Sequence, residues 1–387
     1  MADAAVPARF LLACILALAL IGVVAGIAAA PPGAAVAALG LHSLHLSLGL
    51  AAFLAGYAAP SERVRRLAPG LLALVFALLA LMLASEGVGR SANGAERWLS
   101  IGGFQFQPSA LLQCLWPVAL AGWAARDPLR LSLGRELAKL MLLFGLLVTP
   151  VLLQPDLGSV LILLAVTGIA LFFAGAPVQF LRLLVPVCVA ALMLAAFLFD
   201  HVHSRLEDFL QGEVPYQTLR AEQAFAVGGL EGTGPGAGLL QHGFVPEGDT
   251  DFILALIGEE WGFPGTLAVW LLFIAFTVLG VKVASRAESR YGAILMATAT
   301  LMVAVQAALN MAVVTGAVPP KGLPLPFVSR GGSSILALSA LLGIALRAAL
   351  QRRPVPSSQP AHHPWNASNA LVSSPWSSSS ESPRSAS

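Results

Sequence analysis

Long apolar runs broken by short polar stretches dominate the chain. Ten of them approach the length needed to cross a bilayer, at residues 9–30, 35–59, 68–84, 109–125, 140–154, 157–175, 180–199, 251–281, 291–317 and 333–349. A spanning helix needs roughly 20 apolar residues, so the pattern predicts an all-α, polytopic membrane protein with about ten transmembrane helices. The fifth run is short. The eighth is long and interrupted at Gly262-Phe263-Pro264-Gly265, where proline removes a hydrogen-bond donor and glycine relaxes the backbone. No soluble domain separates the runs, and no internal repeat of the transporter kind is visible. Residues 1–350 therefore read as one transmembrane domain carrying a large polar loop at about 200–250. Residues 351–387 are rich in Ser and Pro without apolar periodicity and read as a disordered tail.

Composition sharpens this reading. Of 387 residues, 57% are hydrophobic and only 11% charged, and the mean hydropathy is +0.80, which excludes an ordinary soluble domain. The net charge of +2 is too small to suggest nucleic acid as a partner. Cys14, Cys114 and Cys188 all lie in apolar runs and point to no disulfide framework. The first run lacks a clear cleavage site and reads as a retained span. Most of the 22 Lys and Arg residues, among them Arg63, Arg65, Arg66, Arg126, Arg135, Lys139 and Lys282, fall on one side of the spans. The side richer in basic residues is the cytoplasmic one, which puts both termini inside. Loops 85–108, 200–250 and 318–332 then face outward, and they carry every polar motif of interest.

The most charged of these motifs runs from Val245 to Gly265. It holds Glu247, Asp249, Asp251, Glu259 and Glu260. Carboxylates at a membrane boundary are costly and usually face a cavity, although Asp251 would also suit a helix cap. In the first outer loop, Arg97 and Trp98 stand among glycines and precede Gln107-Pro108-Ser109. Arg can grip phosphate with two hydrogen bonds and indole can cover a sugar ring, but both are also common interfacial anchors. Asp156 follows Gln154-Pro155 in the manner of a capped helix start. The run Gly228 to Gly238 could cradle phosphate with backbone N–H groups or simply lie close against the membrane domain. The last outer loop combines four prolines with Lys321, Ser329, Arg330 and a Gly331-Gly332-Ser333-Ser334 helix opening, a plausible anion site.

These blocks carry a resemblance. VPEGDTDFILALIGEEWGFPG resembles the PEAHTDFIFAxIGEELGxxG signature of the SEDS family (shape, elongation, division and sporulation). NGAERWLSIGGFQFQPS is similar to NGAxRWIxxGxxxxQPSE, LQPDLGS to QPDLGT, and VPPKGLPLPFVSRGGSS to PTKGLxLPFxSYGGSS. The resemblance spans almost the whole membrane domain. It implies a multi-pass protein of the bacterial plasma membrane that polymerises lipid II into peptidoglycan on the outer face. It also implies a class B penicillin-binding protein as partner. Asp251 matches the family's essential aspartate, with Asp249, Glu259, Glu260 and Asp156 in support. Arg97, Trp98, Gln107, Lys321, Ser329, Arg330, Gly331, Gly332 and Ser333 match positions expected to bind substrate. Lys321 favours the FtsW branch and a division role over RodA-like elongation. A lipid II flippase and a non-catalytic scaffold are the competing functions.

Departures from the family pattern matter too. The usual acid and base of the QPSE block are Ala110 and Gln113 here, lost together as a buried ion pair must be. Arg330 stands where the family has Tyr, and Arg220-Ala221 replace Gln-Ser after Tyr216-Gln217. Asp249 replaces a His beside Asp251. Two neighbouring carboxylates resist ionising together, which suits a base, or they could share a divalent cation such as Mg or Mn. The sequence fixes no metal site.

Overall fold

The computed structural model describes residues 2–351, apart from 31–32, 85–89, 93–94, 102–103, 128–133, 155, 213, 239–247, 249, 320–321 and parts of 179–198. Residues 352–387, which include almost all of the expected tail, lie outside the described residues, as does most of the seventh expected span. The described helices are α1 (Ala2–Ala28), α2 (Ala35–Ala58), α3 (Ser61–Ala84), α4 (Pro108–Arg126), α5 (Gly134–Leu153), α6 (Leu157–Phe173), α7 (Asp200–Gln211), α8 (Tyr216–Gly228), α9 (Ile253–Ser285), α10 (Arg290–Val314) and α11 (Gly332–Leu350). The fold is thus helical and polytopic. Seven of these helices are long and apolar enough to cross a membrane, and α6 is apolar but shorter.

Helices α1, α3 and α5 all start ahead of their apolar runs. The third and fifth runs begin at residues 68 and 140, yet α3 starts at Ser61 and α5 at Gly134. Charged pairs one turn apart carry both helices past their apolar cores. Glu62 pairs with Arg65 at 2.8 Å and with Arg66 at 3.2 Å, and Glu136 with Lys139 at 2.9 Å. Such pairs support an exposed helix by only a few tenths of a kcal/mol each, enough to extend a helix already anchored by its buried face. The fifth helix is therefore of ordinary length.

The centre of the bundle is made by α10 and α11, while α2 lies at its edge with lipid-facing leucines. Nevertheless α2 fits α11 backbone to backbone. A side chain on Gly49 would strike Ile335, one on Gly56 the carbonyl of Ala340, and one on Gly343 the carbonyl of Phe53. Apolar area cannot drive helices together in lipid, so close contact through small residues replaces it.

The all-α expectation has one exception. The first outer loop forms a small antiparallel sheet of β1 (Arg90–Ala92), β2 (Ala95–Ile101) and β3 (Phe104–Phe106), with Arg90 opposite Trp98 and Ile101 opposite Phe104. The residues between the strands are Asn93-Gly94 and Gly102-Gly103, dipeptides that two-residue hairpin connections favour.

The expected break in the eighth span is present within α9. Gly262 sits at φ 63°, ψ −158°, a conformation that is essentially glycine-only. The freed carbonyls are met by the glycine-rich segment after α8. Thr233 N–H donates to Glu259 O and Gly234 N–H to Glu260 O, each at 2.9 Å, and Phe263 N–H returns a bond to Gly229 O at 2.9 Å. A Cβ on Gly262 would lie 2.6 Å from the nitrogen of Gly232. Gly262→Ala should therefore cost about 1–3 kcal/mol in backbone strain alone, with the clash added, and lower the thermal unfolding midpoint in detergent. Gly40→Ala, in α2 with open space around it, should leave the midpoint unchanged or raise it slightly.

Candidate active site

The site is assembled where α4, α6, α9 and α11 begin. Asp156 is the first anchor. It caps α6, its Oδ1 accepting from Ser159 N–H at 3.2 Å. Its Oδ2 accepts from Gln107 Nε2 at 2.9 Å and from the Ser109 hydroxyl at 3.1 Å. Asp156 is buried, and three donors on one carboxylate are what make a buried charge tolerable. They also tie the start of α4 to the start of α6.

From this anchor the contacts continue into the last outer loop. Gln107 N–H donates to Ser333 Oγ at 3.1 Å, in the first turn of α11. Leu323 packs where a side chain on Gly158 would fall, 2.7 Å from that position. Ser329 accepts from Leu325 N–H at 2.7 Å and donates to the carbonyl of Thr250. Asn310, buried in α10, donates to Asp251 O at 2.7 Å and to Leu323 O at 2.6 Å. Gln306, one turn earlier, donates to Pro324 O at 3.0 Å. Phe327 holds a positive φ of 64°, an outlier for a bulky residue, and is fixed there because both it and Val328 are buried. Val328 runs against Gly22 of α1, where any side chain would collide with its carbonyl.

Of these contacts, those of Asn310 and Ser329 enclose the turn at Asp251. Its backbone carbonyl is gripped by Asn310, and its Oδ2 would lie 3.1 Å from a Cβ on Gly322. Asp251 is not the N-cap residue of α9: that helix begins at Ile253 and its N-cap is Phe252, which makes no side-chain cap bond. The carboxylate sits in the preceding turn and is half-buried. The N-terminus of α11 likewise has Gly331 at its cap with no side-chain cap bond, and the ring of His45 lies beside it, 2.9 Å from where a Gly332 Cβ would be.

Other expected residues fall elsewhere. Glu259 and Glu260 are buried at the α9 break, and Glu260 Oε1 accepts from Gly236 N–H at 2.9 Å. The glycine-rich run therefore lies close against the membrane domain, with the N–H groups of Thr233, Gly234 and Gly236 directed to α9 rather than to a phosphate. Ser329 is buried with its hydroxyl engaged by backbone, so it shapes the loop. Trp98 is half-buried on β2 and Arg330 is half-buried just before α11. The side chain of Arg97, and all of Lys321 and Asp249, lie outside the described residues. Ala110 and Gln113 are buried, and Gln113 Nε2 donates to Ser159 Oγ at 3.3 Å, a neutral bond where a lone charge could not survive. Among the described residues no group of three His, Cys, Asp or Glu side chains could hold a metal ion.

A family model described as "Cell cycle protein" (FtsW, RodA, SpoVE) matches residues 8–354. The chain belongs to the FtsW/RodA/SpoVE family. Relatives named probable peptidoglycan glycosyltransferase FtsW include one from Caulobacter vibrioides, 35% identical over 71% of this chain and 70% of its own length. Another, from Trichlorobacter lovleyi, is 37% identical over 73% of this chain and 75% of its own. A chain from a solved structure described as coordinating polymerization and crosslinking by a peptidoglycan synthase complex superposes with a TM-score of 0.74 and 27% identity, covering 88% of this chain and 97% of that one. The rod shape determining protein RodA of Thermus thermophilus superposes with a TM-score of 0.67 at 27% identity over 88% of this chain and 97% of its own.

Within this family fold, the sequence blocks named Asp251, Asp156 and Ser109 but passed over Asn310, Gln306 and His45. A lone Asn or Gln inside an apolar run is the signal that could have found the first two, because lipid leaves such a group no partner outside the protein. The clamp at Asp156 is directly testable. An Asn there keeps one acceptor oxygen but turns an NH2 group toward a donor. Asp156→Asn should therefore lose about 1–3 kcal/mol of stability, read as a lower unfolding midpoint in detergent. An unchanged midpoint would mean that Asp156 does not hold α4 to α6.

Proposed function

We propose that this protein is a peptidoglycan glycosyltransferase that polymerises lipid II, with Asp251 as its general base. The observation that carries the reading is that the turn holding the half-buried Asp251 is tied to the loop before α11 by Asn310 and Ser329, with Gly322 beside its carboxylate. The family membership and the names of the relatives support the activity. The FtsW names support a role in division.

The reaction displaces a diphosphate from an anomeric carbon. The acceptor hydroxyl oxygen forms the new bond to that carbon, the carbon–phosphate-oxygen bond breaks, and the hydroxyl proton passes to Asp251. A carboxylate at the mouth of a span can reach a polar head group while the lipid tail stays in the bilayer. The departing diphosphate needs positive charge. Arg97, Lys321 and Arg330 are the cations of the outer motifs, and the uncapped N-terminus of α11 adds the dipole of a long helix. Gly331, Gly332 and Ser333 would present backbone N–H groups there, Trp98 would face a sugar ring, and Gln107 would position the start of α4. Asp249 would tune Asp251. Among the described residues no group of three or more His, Cys, Asp or Glu side chains could hold a metal ion.

The outward orientation rests on the distribution of Lys and Arg, as does a cytoplasmic location for both termini and the Ser/Pro-rich stretch at 351–387. A class B penicillin-binding protein is the proposed partner, supported by the likeness to a chain of a complex that couples polymerization to crosslinking.

Asp251→Asn should abolish glycan polymerisation from labelled lipid II by the protein purified with such a partner, while its unfolding midpoint and partner binding stay at parental values. Polymer at near-parental rate would remove Asp251 as the base. Transbilayer movement of lipid II by the parent, with no polymer under any condition, would favour a flippase.

A further inference from the structure

A cavity of about 490 Å3 opens between α3, α4 and α5, around the end of α4 away from Asp156. Leu72, Phe76, Trp116, Leu140 and Leu147 wall its apolar body. Along α3 the lining runs from Arg65 to Phe76, roughly 16 Å at the helical rise. That is about half of a ~30 Å hydrocarbon core, the depth of one leaflet. The volume falls within the roughly 300–1,000 Å3 of small-ligand sites.

All the charge gathers at one end. Arg65, Arg126, Lys139 and Glu136 line the mouth, three cations against one carboxylate. Lys139 is paired with Glu136, but Arg126 is exposed and has no ion-pair partner among the described residues. Arg65 lies across Gly122, whose missing side chain would sit 2.8 Å from its Cγ. One guanidinium nitrogen of Arg65 bonds Glu62, while the buried Nε–H has no acceptor. The Arg65 guanidinium also lies over the Tyr291 ring, 5.8 Å from its centroid.

We propose that this cavity binds an anionic glycerophospholipid, with an acyl chain in the apolar body and the phosphate against Arg65, Arg126 and Lys139. Basic pockets between spanning helices recognise acidic head groups in this way. A polyprenyl phosphate shares the phosphate chemistry. The one-leaflet depth and the position at the far end of α4 from the Asp251 site favour the phospholipid.

The test uses the full chain in phosphatidylcholine nanodiscs doped with lipid brominated on its acyl chains. Trp116 and Trp123 line the cavity, and bromine quenches indole fluorescence on contact. Brominated phosphatidylglycerol should quench several-fold more effectively than brominated phosphatidylcholine at equal mole fraction, and Trp123→Phe should shrink the difference. Arg126→Gln with Lys139→Gln should lower the preference by roughly fivefold per cation removed, and Arg126→Lys with Lys139→Arg should retain most of it. Arg63→Gln with Arg66→Gln, exposed at the same end but outside the cavity, should leave it unchanged. Equal quenching by the two lipids would overturn the proposal. So would a preference that survives the cavity variant or vanishes in the exposed one. Unbrominated polyprenyl phosphate that displaces the quencher more effectively than unbrominated phosphatidylglycerol would assign the cavity to the prenyl lipid instead.

Discussion

Backbone that leaves the helix inside a bilayer has no water to turn to, so its polar groups must be satisfied by the protein itself. The half of this molecule that holds Asp156 and Asp251 follows from that constraint. At the α9 break, the carbonyls of Glu259 and Glu260 are met by the N–H groups of Thr233 and Gly234. At the turn before α9, the carbonyls of Thr250 and Asp251 are met by Ser329 and Asn310. Both solutions need chain from elsewhere to approach very closely, which explains a glycine-rich segment at the first and a proline-stiffened loop at the second. Irregular backbone at this depth is accepted only where it is enclosed in this way, and the enclosure is what brings distant motifs together.

The same reasoning separates the acids by task. Asp156 accepts three hydrogen bonds and is buried, so its charge is committed to joining α4 and α6. Glu260 accepts from Gly236 N–H at the break. Asp251 differs: the protein grips its backbone, while its carboxylate stands half-buried at the mouth of a span. A group meant to take a proton from a substrate needs a fixed position within reach of that substrate, and among the acids of the central motif that the structure describes, Asp251 is the one that is not buried.

Much of this was legible in the sequence. Seven of the ten apolar runs coincide with described helices long and apolar enough to cross a membrane, the Gly-Phe-Pro-Gly break shows the interruption, and the carboxylate of Asp156 reads correctly as a cap. The misreadings have physical reasons. Helices α3 and α5 extend beyond their apolar cores because Glu62 and Glu136 pair with bases one turn away, and apolar pattern does not record that. The hairpin sheet was signalled by Asn93-Gly94, but its strands are too short to show alternation. Asp251 falls one residue before the N-cap of α9, and the glycine run proved not to be a phosphate cradle because its N–H groups meet acceptors of α9, from a distant segment. Asn310 went unnoticed for the same reason: its two acceptors, Asp251 O and Leu323 O, come from different segments.

The central claim is that the last outer loop and the turn at Asp251 act as one rigid unit. A double-mutant cycle on Asn310→Ala and Ser329→Ala measures it most directly, with the rate of glycan polymerisation as readout. Each residue ties the loop to the turn through a different carbonyl. If the two ties serve one unit, the double variant should depart from the sum of the single losses by about 0.5–3 kcal/mol. Losses that add to within about 0.3–0.5 kcal/mol would mean that the loop and the turn are held independently, and would contradict the account.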